Sequence, residues 1–168
     1  MTYQHCKCML DIEYPVTRNL PKTIAFANRV AMILLSLITQ NHIHYINLWC
    51  RGSSGSIIAA FVSHDMIKRS KNIQVRICHV KKEGENSHSS SPSTFQNDLD
   101  TWNVIVDDFI ATGDTIKEII RAMEKETYKP DVLCVTQKVC MWKFPSNSIK
   151  YFICAKVAEK RQVRRMPW

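Results

Sequence analysis

The sequence predicts an α/β fold with a doubly wound, mostly parallel sheet flanked by helices. Short apolar, β-branched runs alternate with longer segments of helical periodicity along the 168 residues. Such alternation is typical of strands joined by crossover helices, which makes the sheet parallel. In addition, polar turns follow two of the predicted strands, at the edge where such sheets bind ligands. We expect a single domain over 1–168, because this length buries a full core and no linker interrupts it.

The predicted elements follow one another from the N-terminal part of the chain to a basic tail. A first helix starts near Pro21, a favoured first helical position, and continues to about 40. The elements predicted after it are strand 45–50, helix 54–68, strand 73–79, strand 102–107, helix 114–126, strand 131–136 and a strand near 149–155. The helix that starts at 114 has apolar residues at i, i+3, i+4 and i+7, which mark one buried face.

An acidic pair followed by a small-residue turn is the most informative feature of the chain. Asp107 and Asp108 follow a buried apolar strand, and the turn Ala111–Thr115 leads from them into a helix. Backbone N–H groups of such a turn bind anions, and the hydroxyls of its two threonines add donors. Carboxylates beside an anion site favour a ligand that carries a phosphate together with hydroxyls or a metal, such as a sugar phosphate. The alternative is that the aspartates only cap the following helix.

This segment resembles the signature by which type I phosphoribosyltransferases bind 5-phosphoribosyl-1-pyrophosphate (PRPP). The signature is an apolar strand, an acidic pair, two apolar residues, and a small or acidic residue before Thr-Gly-x-Thr, and it matches Asp107–Thr115 in type and spacing. The resemblance implies catalytic roles for Asp107 and Asp108, which also stand near Mg²⁺ through ribose or water, so Mg²⁺ is the expected cofactor. It further implies that five turn residues bind PRPP: Ala111, Thr112, Gly113, Asp114 and Thr115.

A second turn favours the same interpretation. Arg51–Gly55 lies between a predicted strand and a buried helix, and it offers two glycines, two hydroxyls and a guanidinium that can bind phosphate through two hydrogen bonds. In the family, the corresponding loop holds the pyrophosphate of PRPP. The resemblance gives this role to Arg51, Gly52, Ser53 and Ser54, and a catalytic role to Arg51. Taken alone, such a turn is equally compatible with a flexible connection.

The polar segment 81–100 is too long for an ordinary connection. In the family, this position carries a flexible loop that closes over PRPP, so we predict a lid with Lys81 and Lys82 as catalytic residues that meet the pyrophosphate. Residues 83–98 should be mobile without ligand and become ordered with PRPP and Mg²⁺. The alternative is a solvated insert without a catalytic part.

The acceptor of the phosphoribosyl group is expected to be a nucleobase-like nitrogen. In the family, a small hood of terminal segments selects the base, and here it comprises roughly 1–18 and 137–168. The candidate base-binding residues, each also compatible with a core or surface position, are Lys138, Trp142, Phe152 and Trp168.

Two positions depart from the family pattern. Enzymes that act on 6-oxopurines usually carry an aspartate at the position of Ala111, so the alanine favours the pattern of adenine, uracil or orotate enzymes. Asp114 stands next to the expected phosphate, where a carboxylate repels the ligand unless it turns outward. We expect the outward orientation, with Asp114 acting at the helix N-terminus.

The function implied by the resemblance is Mg²⁺-dependent transfer of a phosphoribosyl group from PRPP to a base, with release of pyrophosphate, in nucleotide salvage. We expect a homodimer without membrane contact and a cytoplasmic location, because no apolar leader is visible and the seven cysteines resemble reduced thiols. The alternative is a PRPP-sensing regulator of the same fold that binds nucleic acid. A net charge of +8 and a tail with four basic residues favour that alternative: Lys160, Arg161, Arg164 and Arg165.

Overall fold

The computed structural model describes residues 20–82, 100–110, 112–138, 149–154 and 162–165, with the backbone alone at 109, 136–138, 154 and 162–165. Within these ranges the chain forms three helices and six strands. Their order is α1 (Leu20–Gln40), β1 (Tyr45–Arg51), α2 (Gly52–Arg69), β2 (Gln74–Val80), β3 (Thr101–Ile110), α3 (Asp114–Lys125), β4 (Val132–Lys138), β5 (Tyr151–Cys154) and β6 (Gln162–Arg165).

The strands form one sheet in the order β2-β1-β3-β4-β5-β6. The first five strands are parallel, and β6 pairs antiparallel with β5. Because β1 lies between β2 and β3, the winding direction of the chain reverses at β1, and ligands bind outside the carboxyl ends of the strands at such a point. The predicted fold class, a doubly wound and mostly parallel α/β sheet, is confirmed.

Helices cover both faces of the sheet, which explains why the central strands β1, β3 and β4 are mostly apolar. On one face, α1 and α2 pack on side chains of β1 and β3 such as Leu48 and Val106. On the other face, α3 buries its predicted apolar stripe against Trp49, Ile105 and Leu133. Successive residues of β1 therefore alternate between the two cores, and the positions of α2 and α3 against the strands are fixed from both sides.

The helix α1 is long and apolar enough to cross a membrane by length and composition alone. In the structure, one of its faces is buried against α2 and the sheet through Phe26, Val30, Leu34 and Ile38. Packing of this kind is that of a core helix, and it accounts for the apolar content of the segment.

Three elements differ from the sequence expectation. The strand β3 continues to Ile110 because β4 keeps pairing with it up to Lys138, so the acidic pair lies inside the strand rather than after it. The helix α2 begins at Gly52, so most of the predicted Arg51–Gly55 turn is helical. The expected basic tail contains β6, which lacks an apolar pattern of its own and forms by pairing with β5.

Candidate functional site

A cleft of about 290 Å³ opens at the carboxyl ends of β1 and β3, at the reversal of the winding direction. Two segments about sixty residues apart in the chain meet here because β1 and β3 are adjacent and parallel. The lining residues are Arg51, Gly52, Ser53, Ser54, Lys82, Asp107, Asp108, Ile110, Thr112, Gly113, Asp114, Thr115 and Ile116. We call Arg51–Ser54 with Lys82 the cationic wall, and Asp107, Asp108 and Thr112–Thr115 the acidic wall.

The two aspartates of the acidic wall are held close together in a nearly dry environment. Asp107 is 5% and Asp108 9% exposed, and the Asp108 N–H donates to Asp107 Oδ1 over 2.9 Å. Burial, followed by the charge of Asp108, raises the pKa of Asp107 to about 8. Neither aspartate caps α3, since Gly113 occupies the N-cap position without a side-chain hydrogen bond. A buried carboxylate pair of this kind favours a proton or a cation between the two groups.

The acidic wall continues into the N-terminus of α3. Gly113 adopts a left-handed backbone conformation with φ of 82°, and the helix begins directly after it. The first N–H groups of a helix have no partner within the helix, and they carry the positive end of its dipole. This end of α3 borders the cleft, where it can bind a phosphate group.

Asp114 lies at the rim of the cleft in the first turn of α3. Its side chain is 70% exposed, and Lys117 Nζ donates to its Oδ1 over 2.9 Å. Its Oδ2 accepts from the Thr112 hydroxyl over 2.7 Å. The Thr112 bond, and then Lys117, lowers the pKa of Asp114. The carboxylate is therefore ionised and tied to partners at the helix start, while the N-cap position expected for it belongs to Gly113.

The cationic wall contains a buried donor without a partner. Arg51 ends β1 in an extended conformation, and its Nε is buried with no hydrogen-bond partner among the described residues. Such a group costs about 1–3 kcal/mol while it stays unpaired. Lys82 lies against the same segment, because a Cβ built on Gly52 would come 3.4 Å from Lys82 Cε and 3.6 Å from Nζ. Both cations therefore lie at the start of α2, where an anion could pair with the Arg51 Nε–H and lie close to Lys82.

Gly55 brings the two walls close together. It is buried on the first turns of α2, and a Cβ at this position would lie 3.5 Å from the Val106 carbonyl oxygen and 3.8 Å from Asp107 Oδ1. The helix that carries the cationic wall therefore rests on the backbone of β3 directly beneath the acidic pair.

The two lysines predicted at the start of the lid lie in different places. Lys82 lines the cleft. Lys81 lines a second groove beside α3, together with Glu118, Arg121 and Lys125. Side chains alternate in extended backbone, so adjacent lysines point to opposite sides. The structure therefore brings Lys82 to the other candidate site residues, but not Lys81.

The remaining predicted site residues are not gathered in the cleft. Phe152 lies on β5, half-buried against the core beside α3. Lys138 ends β4 opposite Ile110, and its side chain is not described. The predictions that fall outside the described residues concern Ala111, Trp142, Trp168, the lid over 83–99 and the hood segments 1–18, 139–148, 155–161 and 166–168. Their roles, and the ordering of the lid, stay predictions.

The sequence interpretation missed two apolar residues that line the cleft, Ile110 and Ile116, and a polar pair beside it, Ser56 and His79. Ile116 had been assigned only to the buried stripe of the helix. The signal for His79 was its place near the carboxyl end of a predicted strand, three residues before Lys82.

The fold is that of the type I phosphoribosyltransferases, as the motif resemblance predicted. The chain is similar to hypoxanthine phosphoribosyltransferase from Trypanosoma cruzi, solved with the product IMP, with a TM-score of 0.51 and 12% identity over 80% of this chain and 77% of that protein. A likeness at this identity shows the fold.

Two further solved structures align with lower TM-scores. Hypoxanthine-guanine phosphoribosyltransferase from Schistosoma mansoni, in complex with IMP, gives 0.43 at 14% identity over 70% of this chain. The chain spans about half of that protein, 53% of its length. The hypoxanthine-guanine enzyme from Bacillus anthracis gives 0.43 at 15% identity over 80% of this chain and 79% of that protein. No protein-family model matches the sequence, and a comparison with curated proteins finds no match.

Proposed function

We propose that the protein transfers the 5-phosphoribosyl group of PRPP to a nucleobase-like nitrogen acceptor and releases pyrophosphate. The observation that carries this proposal is the division of one cleft into a cationic and an acidic wall beside the N-terminus of α3. PRPP has a matching order of groups, with a pyrophosphate, a ribose with two free hydroxyls and a 5-phosphate.

Each part of the cleft has a defined task in this reaction. The N-terminal turn of α3 binds the 5-phosphate through backbone N–H groups. Asp107 and Asp108 accept hydrogen bonds from the ribose hydroxyls and hold C1 in position for the incoming nitrogen. As the bond from C1 to the pyrophosphate oxygen breaks, negative charge grows on the leaving group, and Arg51 and Lys82 stabilise it.

Magnesium fits this site without a protein cage. Among the described residues there is no group of three or more His, Cys, Asp or Glu side chains that could hold a metal ion. Mg²⁺ commonly uses one or two carboxylates together with substrate phosphates and water, which agrees with the Asp107 and Asp108 pair. Bound there through ribose or water, the ion would neutralise charge on the pyrophosphate.

The acceptor is proposed as a base outside the 6-oxopurine group. The proteins of similar fold include hypoxanthine enzymes, but Ala111 lacks the carboxylate that 6-oxopurine enzymes usually carry at this position. We therefore rank adenine, uracil and orotate above hypoxanthine and guanine. A cytoplasmic location, a role in nucleotide salvage and a homodimer belong to the same proposal.

The test is PRPP-dependent release of pyrophosphate, measured with each base separately and with Mg²⁺ or a chelator present. We expect one base to support turnover that requires both PRPP and Mg²⁺. Hypoxanthine as the preferred base would refute the acceptor ranking alone. Tight PRPP binding without turnover on any base would refute the transferase.

A second candidate function is a PRPP-sensing regulator that binds nucleic acid, which the net charge of +8 favours. It predicts PRPP binding without turnover, together with RNA or DNA binding that weakens steeply as salt is raised. The same base panel, followed by a nucleic-acid titration at two salt concentrations, separates it from the transferase.

A further inference from the structure

His79 takes no part in the proposed reaction, yet it is linked through Ser56 to the segment that would bind pyrophosphate. Its Nδ1 lies 3.0 Å from Ser56 Oγ, and Ser56 Oγ donates to the Gly52 carbonyl over 2.8 Å. The register of β1 and β2 pairs Cys50 with His79, so the histidine lies one pair before the end of β1. A chain of hydrogen bonds therefore runs from the edge strand β2, through α2, to Gly52.

The protons in this chain have a definite arrangement. A serine hydroxyl has one proton, and here it is directed to the Gly52 carbonyl. With that proton on the Gly52 carbonyl, the His79 tautomer protonated at Nδ1 completes the chain by donating to Ser56 Oγ. Ser56 Oγ also lies 3.8 Å from Cys50 Sγ, so loss of the ring N–H removes the closer of the two side-chain neighbours that orient the hydroxyl toward Gly52.

The orientation of the Gly52 carbonyl determines what the next peptide N–H can do. Gly52 has a left-handed φ of 69°, and the described peptide bonds are all trans. In a planar trans peptide, the carbonyl of Gly52 and the N–H of Ser53 point in opposite directions. With the carbonyl turned along α2 toward Ser56, the Ser53 N–H points back from the helix start, where Ser53 and Ser54 line the cleft.

We propose that His79 is a positioning residue, which acts through Ser56 to hold the Gly52–Ser53 peptide so that the Ser53 N–H faces the pyrophosphate. This inference rests on the proposed function, which it deepens by assigning the bracing of the pyrophosphate segment to the end of β2. Lys82 follows His79 by three residues and lies against Gly52. The end of β2 thus supports the segment by a hydrogen bond and by a direct contact.

The test uses Ser56→Ala, His79→Leu, His79→Gln and the Ser56→Ala/His79→Leu double variant of the full chain. A matched control is His64→Leu, an exposed histidine on α2 away from the cleft. Calorimetric titration measures the binding of pyrophosphate with Mg²⁺ and, separately, of ribose 5-phosphate, which lacks the pyrophosphate.

We expect Ser56→Ala and His79→Leu each to weaken pyrophosphate binding about fivefold and to leave ribose 5-phosphate binding unchanged. His79→Gln, which retains a side-chain N–H donor, should restore most of the loss. The double variant should bind pyrophosphate no more weakly than Ser56→Ala, because both changes break the same chain of hydrogen bonds. In turnover, the KM for PRPP should rise with kcat less affected.

Unchanged pyrophosphate affinity in both single variants would overturn the positioning role and leave the proposed function standing. Additive losses of pyrophosphate affinity in the double variant would overturn it as well. So would an equal loss of affinity for pyrophosphate and ribose 5-phosphate, because this would indicate a general disturbance of the fold. If the wild-type protein binds neither pyrophosphate nor PRPP, the proposed function and the positioning role both fail.

Discussion

Each wall of the cleft buries a group that is unfavourable in the unliganded protein, a guanidinium donor on one wall and a carboxyl group on the other. On the cationic wall, a buried Arg51 donor has no partner among the described residues. On the acidic wall, burial and the charge of Asp108 raise the pKa of Asp107, so this group stays protonated at pH values where an exposed aspartate is ionised. Neither of these costs is relieved by the opposite wall. The comparison teaches that the site is complementary to a ligand that is anionic on one side and cationic or hydroxylated on the other.

Removing the acidic pair should have the largest effect. We expect Asp107→Asn/Asp108→Asn to lower PRPP-dependent turnover by about a thousandfold or more, because the ribose and the metal lose their partners. The melting temperature should stay level or rise, since the amides remove the cost of burying two carboxyl groups side by side. Glu124→Gln, on α3 outside the cleft, is the control. Wild-type activity in the double variant would sink the assignment of the acidic wall.

Removing Arg51 tests the cationic wall. Arg51→Met should weaken binding of pyrophosphate with Mg²⁺ by about ten- to a hundredfold, the range of a charge-assisted hydrogen bond. The same variant should not lose stability, because the unpartnered buried donor disappears with the guanidinium. Arg121→Met removes an exposed arginine paired with Glu118 and should leave pyrophosphate binding unchanged. A strongly destabilised Arg51→Met protein with normal affinity would mean that the arginine is structural.

The adjacent lysines allow a matched comparison, because Lys82 belongs to the cationic wall and Lys81 does not. Lys82→Met should weaken pyrophosphate binding about tenfold, because Lys82 lines the cleft. Lys81→Met should change it less than twofold, since Lys81 lies in the groove beside α3. Titration calorimetry on both variants measures the difference. Equal losses would show that this part of the chain rearranges when ligand binds.

The acidic wall should give the unliganded protein a distinct pH dependence. The folded-state pKa of Asp107 is about 8, above its ordinary value of 3.8. As pH rises from the ordinary value, the unfolded chain releases this proton first, so stability falls until the folded group also ionises near pH 8. Urea unfolding between about pH 5 and pH 8 should show a steeper loss for the wild type than for Asp107→Asn. Parallel pH profiles would contradict the raised pKa.

The smallest effect is expected at Asp114. Asp114→Gly should lower the melting temperature slightly, because the bonds with Thr112 and Lys117 are lost. The KM for PRPP should stay within about twofold, since the exposed carboxylate is held at the rim by its partners. Lys117→Met is the control, because it keeps the Asp114 carboxylate but removes its ion-pair partner. A tenfold gain in PRPP affinity for Asp114→Gly would show that the carboxylate opposes the phosphate.

Local sequence patterns were sufficient for most of the fold and for both walls. The apolar stripe of α3 and the continuous apolar strands predict burial on both sides of the sheet, and the structure places them so. The acidic pair and the Arg51–Ser54 segment were predicted from the resemblance of their motifs to the phosphoribosyltransferase signature, and from their positions at the ends of predicted strands.

The features that the sequence did not predict depend on pairing between distant segments. The extension of β3 past Asp108 is set by β4, and β6 exists only beside β5. Alternation of side chains separates Lys81 from Lys82, but which of the two faces the cleft depends on how β2 lies beside β1. The contact of His79 with Ser56 joins residues 23 positions apart, and no local pattern in either segment marks it.

Because residue 55 is a glycine, α2 packs closely on β3, and this packing determines the distance between the two walls of the cleft. An alanine methyl there would make ordinary contacts at 3.5 Å, whereas a larger side chain must displace either α2 or Asp107. Displacing α2 would carry Arg51 and the following serines away from the carboxylates without altering any group that touches a ligand. The distance between the two sets of ligand-binding groups is thus determined by packing beneath the site. A chain adapting to a longer or shorter ligand could change this distance at one residue that does not line the cleft.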